Sequence, residues 1–234
     1  MTRIGLMLHS VRKAAAADLE STLREVAALG YEGVELFDLH GHEPATVARW
    51  LRASGLVACG RHARLEQIET ELDALAAEAG ELGWRRLVIS WVDPAELDQR
   101  TLDRIAAVGG DIVAHGLELG YHNHDAEVRA GFLDRLPPGV FLELDAGWAW
   151  YAGADPVALV GRGPLLHLKD LRSRDEHRFC PVGDGAVGLE RVVVAAREAG
   201  VEWLLAEQDE SDGPELESAA RSYGAVRAML GGEP

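Results

Sequence analysis

The sequence predicts a single (β/α)8 barrel, and three observations carry that expectation. Short apolar runs rich in Leu and β-branched residues alternate with longer Ala/Leu/Glu/Arg stretches of helical period. The unit recurs roughly every 30 residues. Eight strand-like runs can be counted along the chain. An open doubly wound sheet is the competing architecture. Such a sheet binding a dinucleotide needs a glycine-rich turn after its first strand, and HSVRKAAAAD stands there instead.

Taken in order, the first strand is RIGLMLHS from Arg3, followed by the helical stretch DLESTLREVAALG. GVELFD from Gly33 leads into EPATVARWLRASG, and LVACGRH from Leu56 into QIETELDALAAEAGELG. RLVISW from Arg86 precedes the long span from Pro94 to His115. After LELGYHNH from Leu117 comes only a short segment near Gly131 to Leu136, and after VFLELD from Val140 comes DPVALVG. LLHLKD from Leu165 precedes LERVVVAAREAG, and EWLLAEQD from Glu202 precedes ELESAARSYGAVRAML. Most helical stretches end in Gly or a Gly-containing turn, while Pro44, Pro94, Pro156 and Pro214 sit where first helical turns begin. No linker, charge block or low-complexity segment intervenes, so residues 1–234 are expected to form one domain.

Composition narrows the partners. With 234 residues, 47% hydrophobic and 26% charged, the chain has the profile of a soluble globular protein with a large core. A formal net charge of -16 repels phosphate backbones, which argues against nucleic acid and anionic membrane surfaces and favours a small-molecule substrate. The two cysteines, Cys59 and Cys180, have neither zinc-cluster nor disulfide spacing. No run approaches the ~20 apolar residues of a membrane span, and MTRIGLMLHSVRK is too short in its apolar part for a signal peptide. A cytoplasmic location is expected.

Barrels of this kind carry their chemistry at the C-terminal ends of the strands. Those ends present His9, Glu35, His62, Trp91, His122 with His124, Asp145, His167 and Glu207. Side chains alternate faces, so His122 shares a face with His124, Glu143 with Asp145, and His167 with Lys169. One buried histidine is usually a hydrogen-bonded core residue. An imidazole or carboxylate at nearly every strand end is different, because unpaired buried charge is costly. Such ligands without cysteine suit Mn²⁺, Co²⁺, Mg²⁺ or Zn²⁺. A divalent ion there can hold two vicinal oxygens of a hydroxy-carbonyl compound while flanking groups move a proton at the adjacent carbon.

GVELFD, GYHNHDAEV, FLELDAGWAWYAGADPVALV, LLHLKDL, PVGDGAVGLERVV and LLAEQDE, in this order, resemble the sugar phosphate isomerase/epimerase superfamily. These are xylose-isomerase-like TIM barrels that include ketose 3-epimerases and inosose dehydratases, and the resemblance spans nearly the whole chain. It implies one divalent metal, Mn²⁺ foremost, held by Asp145, His167 and Glu207, with His122 at the fourth ligand position. Ketose epimerases have a glutamate at that fourth place and use it with the eighth-strand glutamate as an acid/base pair. His122 therefore alters the proton chemistry, and Glu127 is the alternative carboxylate for the ion or for substrate. Trp148 replaces a histidine that contacts substrate in those epimerases, and an indole can stack on a sugar face.

The resemblance further implies a catalytic role for Glu207, with His122 and Glu127 as the candidates for its partner, while Lys169, on the face of His167, is expected either to stabilise an enolate oxygen or to form a structural pair with Asp145, Glu143 or Glu207. Glu35, His62 and His124 are expected to bind substrate, Trp91 and Trp148 to line the pocket, and Arg172 with Arg174 to clamp an anionic group. The expected activity is isomerisation or epimerisation of an unphosphorylated sugar, cyclitol or keto-sugar through an enediolate. A lyase expelling a β-hydroxyl is the competing reading. A non-catalytic sugar-binding barrel and an apurinic-site endonuclease rank lower, the latter against the charge. Rim loops are short, so a second copy of the chain can complete the pocket wall, with Phe179 or Trp150 donated across a homo-oligomer interface.

Overall fold

In the computed structural model, which describes residues 2–231, the eight apolar runs become eight parallel strands: β1 (Arg3–Met7), β2 (Gly33–Leu36), β3 (Val57–Ala63), β4 (Arg86–Ile89), β5 (Glu118–His122), β6 (Phe141–Asp145), β7 (Leu165–Leu171) and, after a two-residue β8 (Phe179–Cys180), β9 (Trp203–Glu207). Consecutive strands pair in parallel, and β1 closes the ring by pairing with β9, Arg3 opposite Trp203. The result is a closed eight-stranded barrel. Only β8 lies outside the ring, antiparallel to the end of β7.

The helices form the outer ring: α1 (Arg12–Ala17), α2 (Leu19–Ala28), α3 (Pro44–Ser54), α4 (Leu65–Leu82), α5 (Gln99–Ala114), α6 (Asp125–Arg129), α7 (Ala146–Tyr151), α8 (Leu189–Glu198) and α9 (Glu215–Met229). Their limits have local causes. The Asp18 carboxylate accepts from Ser21 N at 2.9 Å to start α2, and Asp98 accepts from Thr101 N at 3.0 Å to start α5. Pro44 occupies the first turn of α3, and Gly55, with φ +72°, ends it. The helices bury Leu23, Val26, Val47, Leu51, Ile68, Leu75, Ile105 and Ile112 against the outside of the barrel. Each such side chain contributes roughly 1.5–3 kcal/mol. Among the described residues, no helix is long and apolar enough to cross a membrane.

Two features of the barrel interior position the site. Its lower end is filled by a small apolar cluster of Cys59, Val88, Leu165, Trp203 and Leu205, with Phe141 against it. Above that plug, β3 slips by one residue against β2, so that Val34 pairs with Ala58 but Glu35 with Gly60. A Cβ on Gly60 would strike Glu35 Oε1. Glycine at this bulge is what admits the Glu35 carboxylate to the barrel axis.

Candidate metal centre

Strand pairing places His122 opposite Glu143, Asp145 opposite His167, and Lys169 opposite Glu207. With Glu35 and His62 these side chains converge on the axis, and all of them are buried. Two overlapping sets of four result, each with ligand atoms within 4.8 Å of one another: His62, His122, Glu143 and His167; and His122, Asp145, His167 and Glu207. His122 and His167 belong to both.

In the first set, Glu143 Oε2 lies 2.6 Å from His62 Nε2, 3.1 Å from His122 Nδ1 and 3.3 Å from His167 Nε2. Glu35 Oε2 joins it, 2.7 Å from His167 Nε2 and 3.2 Å from His62 Nε2. The other nitrogens of the two shared rings face the second set. His167 Nδ1 is 2.7 Å from Glu207 Oε2, and His122 Nε2 is 3.8 Å from Asp145 Oδ2. Lys169 Nζ stands 3.0 Å from each of Asp145 Oδ2, Glu207 Oε2 and Asp209 Oδ2, over the rings of Trp148 and Phe179.

Burial and these neighbours set the charges. Desolvation drives His122 well below the usual imidazole range, so it is neutral at pH 7. The same burial lowers His124 to about 4 and pushes Asp145 up to about 7. For His62 desolvation is outweighed by Glu35 and Glu143, which raise it to about 10. His167 is raised against its burial by Glu143 and Glu207. Glu207 is held low against burial by Lys169 and His167. Glu35 Oε1 and Glu143 Oε1 are buried with no hydrogen-bond partner, and Asp145 Oδ2 has Lys169 within ion-pair reach but no hydrogen bond. Orphaned carboxylate oxygens beside a neutral imidazole are groups that a divalent cation satisfies, so the buried cluster fits a metal.

Above the cluster opens a cavity of about 390 Å³, walled by His9, Phe37, His62, His122, His124, Glu207 and Asp209 among others. Thus His62, His122, His124 and Glu207 reach it, while Asp145, His167 and Lys169 lie fully buried beside it. Trp148 sits behind Lys169, packed on His124 and Phe179 rather than on the cavity. Phe179 packs edge-on against Trp148 within the same chain.

Besides Trp148, which does not line the cavity as expected, four further roles require correction. Glu127 does not swing toward the axis: its Oε2 accepts from His124 N at 3.0 Å as the capping box of α6, and its Oε1 accepts the Tyr121 hydroxyl at 3.1 Å. Glu35 is fully buried against imidazoles and does not line the cavity. Strand β4 stops at Ile89, which leaves Trp91 on the loop, 36% exposed under the Arg64 guanidinium and outside the cavity lining. Arg172 lies where the chain turns into the β7–β8 hairpin and lines a separate cleft of about 140 Å³ with Phe179, Gln208 and Arg221.

Sequence reasoning assigned no role to Glu143, Asp209 or Asn123. Glu143 carried a usable signal, since it shares a face with Asp145. Asp209, two residues past Glu207, carried the same one. Asn123, pointing away from the axis, has both amide atoms on the Asp145 backbone, accepting from N at 2.9 Å and donating to O at 3.3 Å. It fixes where β6 ends.

A closed (β/α)8 barrel with a histidine and carboxylate cluster at the C-terminal ends of its strands is the class of protein that fold and site define. The chain belongs to the xylose isomerase-like TIM barrel family, whose model matches residues 23–229. No curated protein matches it in sequence. Among solved structures it is similar to a sugar phosphate isomerase/epimerase from Parabacteroides distasonis ATCC 8503, with 20% identity, TM-score 0.80 and coverage of 97% of this chain and 94% of that one. A probable 3-DHS dehydratase, AsbF, from Bacillus anthracis superposes with TM-score 0.77 at 14% identity, covering 98% and 99%. The IolI protein with a bound zinc atom gives TM-score 0.76 at 15% identity, covering 98% of each chain. At these identities the likeness is one of fold.

Proposed function

We propose that the protein is a divalent-metal-dependent isomerase or epimerase acting on a sugar or keto-sugar, with Mn²⁺ as the foremost ion and Zn²⁺, Co²⁺ or Mg²⁺ as alternatives. The observation that carries this reading is the buried convergence of three imidazoles and four carboxylates beneath an open cavity of sugar-sized volume. His122 and His167 would hold the ion in either four-residue set, and the resemblance adds Asp145 and Glu207. When bound, the ion supplies Lewis acidity that polarises a carbonyl oxygen and acidifies the neighbouring C–H.

The chain's own residues do the rest. Glu207, ionised and on the cavity wall, takes the proton from the carbon next to the carbonyl. Lys169, buried beside it at 3.0 Å, keeps that carboxylate ionised and oriented. Return of that proton by Glu207 to the neighbouring carbon gives the isomer, and a proton taken from solvent on the β5 side, where neutral His122 and His124 line the cavity, gives the epimer.

A second reading has its own observation: histidine, not glutamate, ends β5. A proton delivered there to a departing β-hydroxyl turns the same first step into dehydration. Free, buried Cys59 and Cys180 support a reducing, cytoplasmic setting. The test is to strip the protein with chelator, reload it with Mn²⁺ and incubate it with keto-sugars in D₂O. Metal-dependent deuterium uptake at the carbon next to the carbonyl without loss of water is expected, and uptake with loss of water selects the dehydratase. Absence of exchange across aldoses, ketoses and inososes, with a His167→Ala variant no different from native, would remove both readings.

A further inference from the structure

The wall of the cavity is unevenly charged. Among the described residues that line it, Arg64 is the only arginine or lysine. We propose that Arg64, with Gln67 and Ser90 beside it, forms an oxyanion subsite, so that the substrate is an acidic sugar: a hydroxy-carbonyl compound bearing a carboxylate or a phosphate at the end remote from the buried cluster. The inference rests on the metal-dependent reading and names the substrate class of that same site.

Strand alternation puts Arg64 on this wall. It follows His62 by two residues at the end of β3, with extended backbone (φ -74°, ψ 152°), so both side chains leave the strand on the cavity side. The offset lifts Arg64 above His62 by ~7 Å along the wall. Ser90, whose backbone N–H donates to Ala63 O at 2.9 Å, and Gln67, in the first turn of α4, line the cavity with it. A six-carbon sugar whose carbonyl end lies at His122 and Glu207 turns its other end toward this group.

Charge pairing distinguishes Arg64 from the acids of the cavity. Glu207 and Asp209 each have Lys169 Nζ at 3.0 Å, so their charge is offset from within the barrel. Arg64 has no such partner. Glu66, the acid two residues away, is turned to Arg104 at 2.9 Å, and no other acid pairs with Arg64 among the described residues. Its guanidinium lies instead 4.8 Å over the Trp91 ring. Stacking on an indole restrains the planar fork without consuming its N–H donors, which leaves them for an oxyanion. The net charge of -16 does not cancel that attraction. At about 0.15 M salt the screening length is about 8 Å, so charges elsewhere on the surface are damped while a contact pair is not.

The test uses the Mn²⁺-loaded protein and the 2-ketohexoses, each as the neutral sugar, the 6-carboxylate and the 6-phosphate. Calorimetric affinity and deuterium exchange next to the carbonyl are measured for every member. An anionic member is expected to bind and exchange at least about tenfold better than its neutral parent, as a charge-assisted pair provides. Whether the carboxylate or the phosphate leads identifies the source of the anion. Arg64→Ala should bring the anionic-to-neutral ratio to unity through KM rather than kcat, and Arg64→Lys, which keeps the charge but not the fork, should restore part of it. Because Arg64 is exposed and unpaired, its replacement costs the fold little. A neutral parent preferred by the wild type, or a ratio that falls in Arg172→Ala and not in Arg64→Ala, overturns the subsite and keeps the metal-dependent reading. A loaded wild type that binds and exchanges no member overturns both.

Discussion

At the scale of single residues, Lys169 and Glu127 make opposite predictions. Lys169 neutralises three acids at 3.0 Å inside the barrel, so Lys169→Met leaves buried charge uncompensated. A loss of about 3–5 kcal/mol in urea unfolding of the metal-free protein is expected. Glu127→Ala removes a helix cap and the partner of the Tyr121 hydroxyl. It should lower stability by about 1–2 kcal/mol and leave calorimetric ion affinity unchanged. His122, Asp145, His167 and Glu207 were legible because strand alternation alone sends them inward at the rim. The same alternation exposes Glu143, yet a lone glutamate inside an apolar run reads as a core irregularity until a second layer of partners is seen. Glu127 was misread because spacing in sequence does not distinguish a carboxylate that reaches the axis from one that folds back onto its own backbone.

Among the elements, the eight barrel strands and most long helices were visible as periodic patterns. The six-residue α1 and α7 and the two-residue β8 were not, being shorter than the window over which a period can be recognised. They nonetheless shape the rim. Asp145 ends β6 and at once caps α7, accepting from Trp148 N at 2.7 Å, so one oxygen of this carboxylate is committed to the backbone. A similar device anchors the segment after β8. The buried Asp170 carboxylate accepts from the backbone N–H groups of Leu171, Gly183, Gly185 and Val187 at 3.0–3.2 Å. Asp170→Ala should therefore cost at least about 2 kcal/mol. Faster amide exchange confined to residues 181–187 is the accompanying sign; protection as in the wild type would show that the loop is held by something else.

For the whole molecule, charge decides partners more than fold does, since similar barrels serve different chemistries. The net charge of -16 predicts weak binding to a phosphate backbone. No retention of duplex DNA at about 0.15 M salt and no nicking at abasic sites are expected. Measured retention at that salt would require a local reversal of charge that the cavity wall does not show. Finally, the apolar plug under the cluster closes the barrel from below, so the cavity walled by His9, Phe37 and Asp209 is a way in from above. On the proposed function, cargo and ion would share that opening, in sequence. An occupied doorway corks whatever lies beneath it, so substrate analogues should slow the escape of the ion to a chelator even where they never touch it.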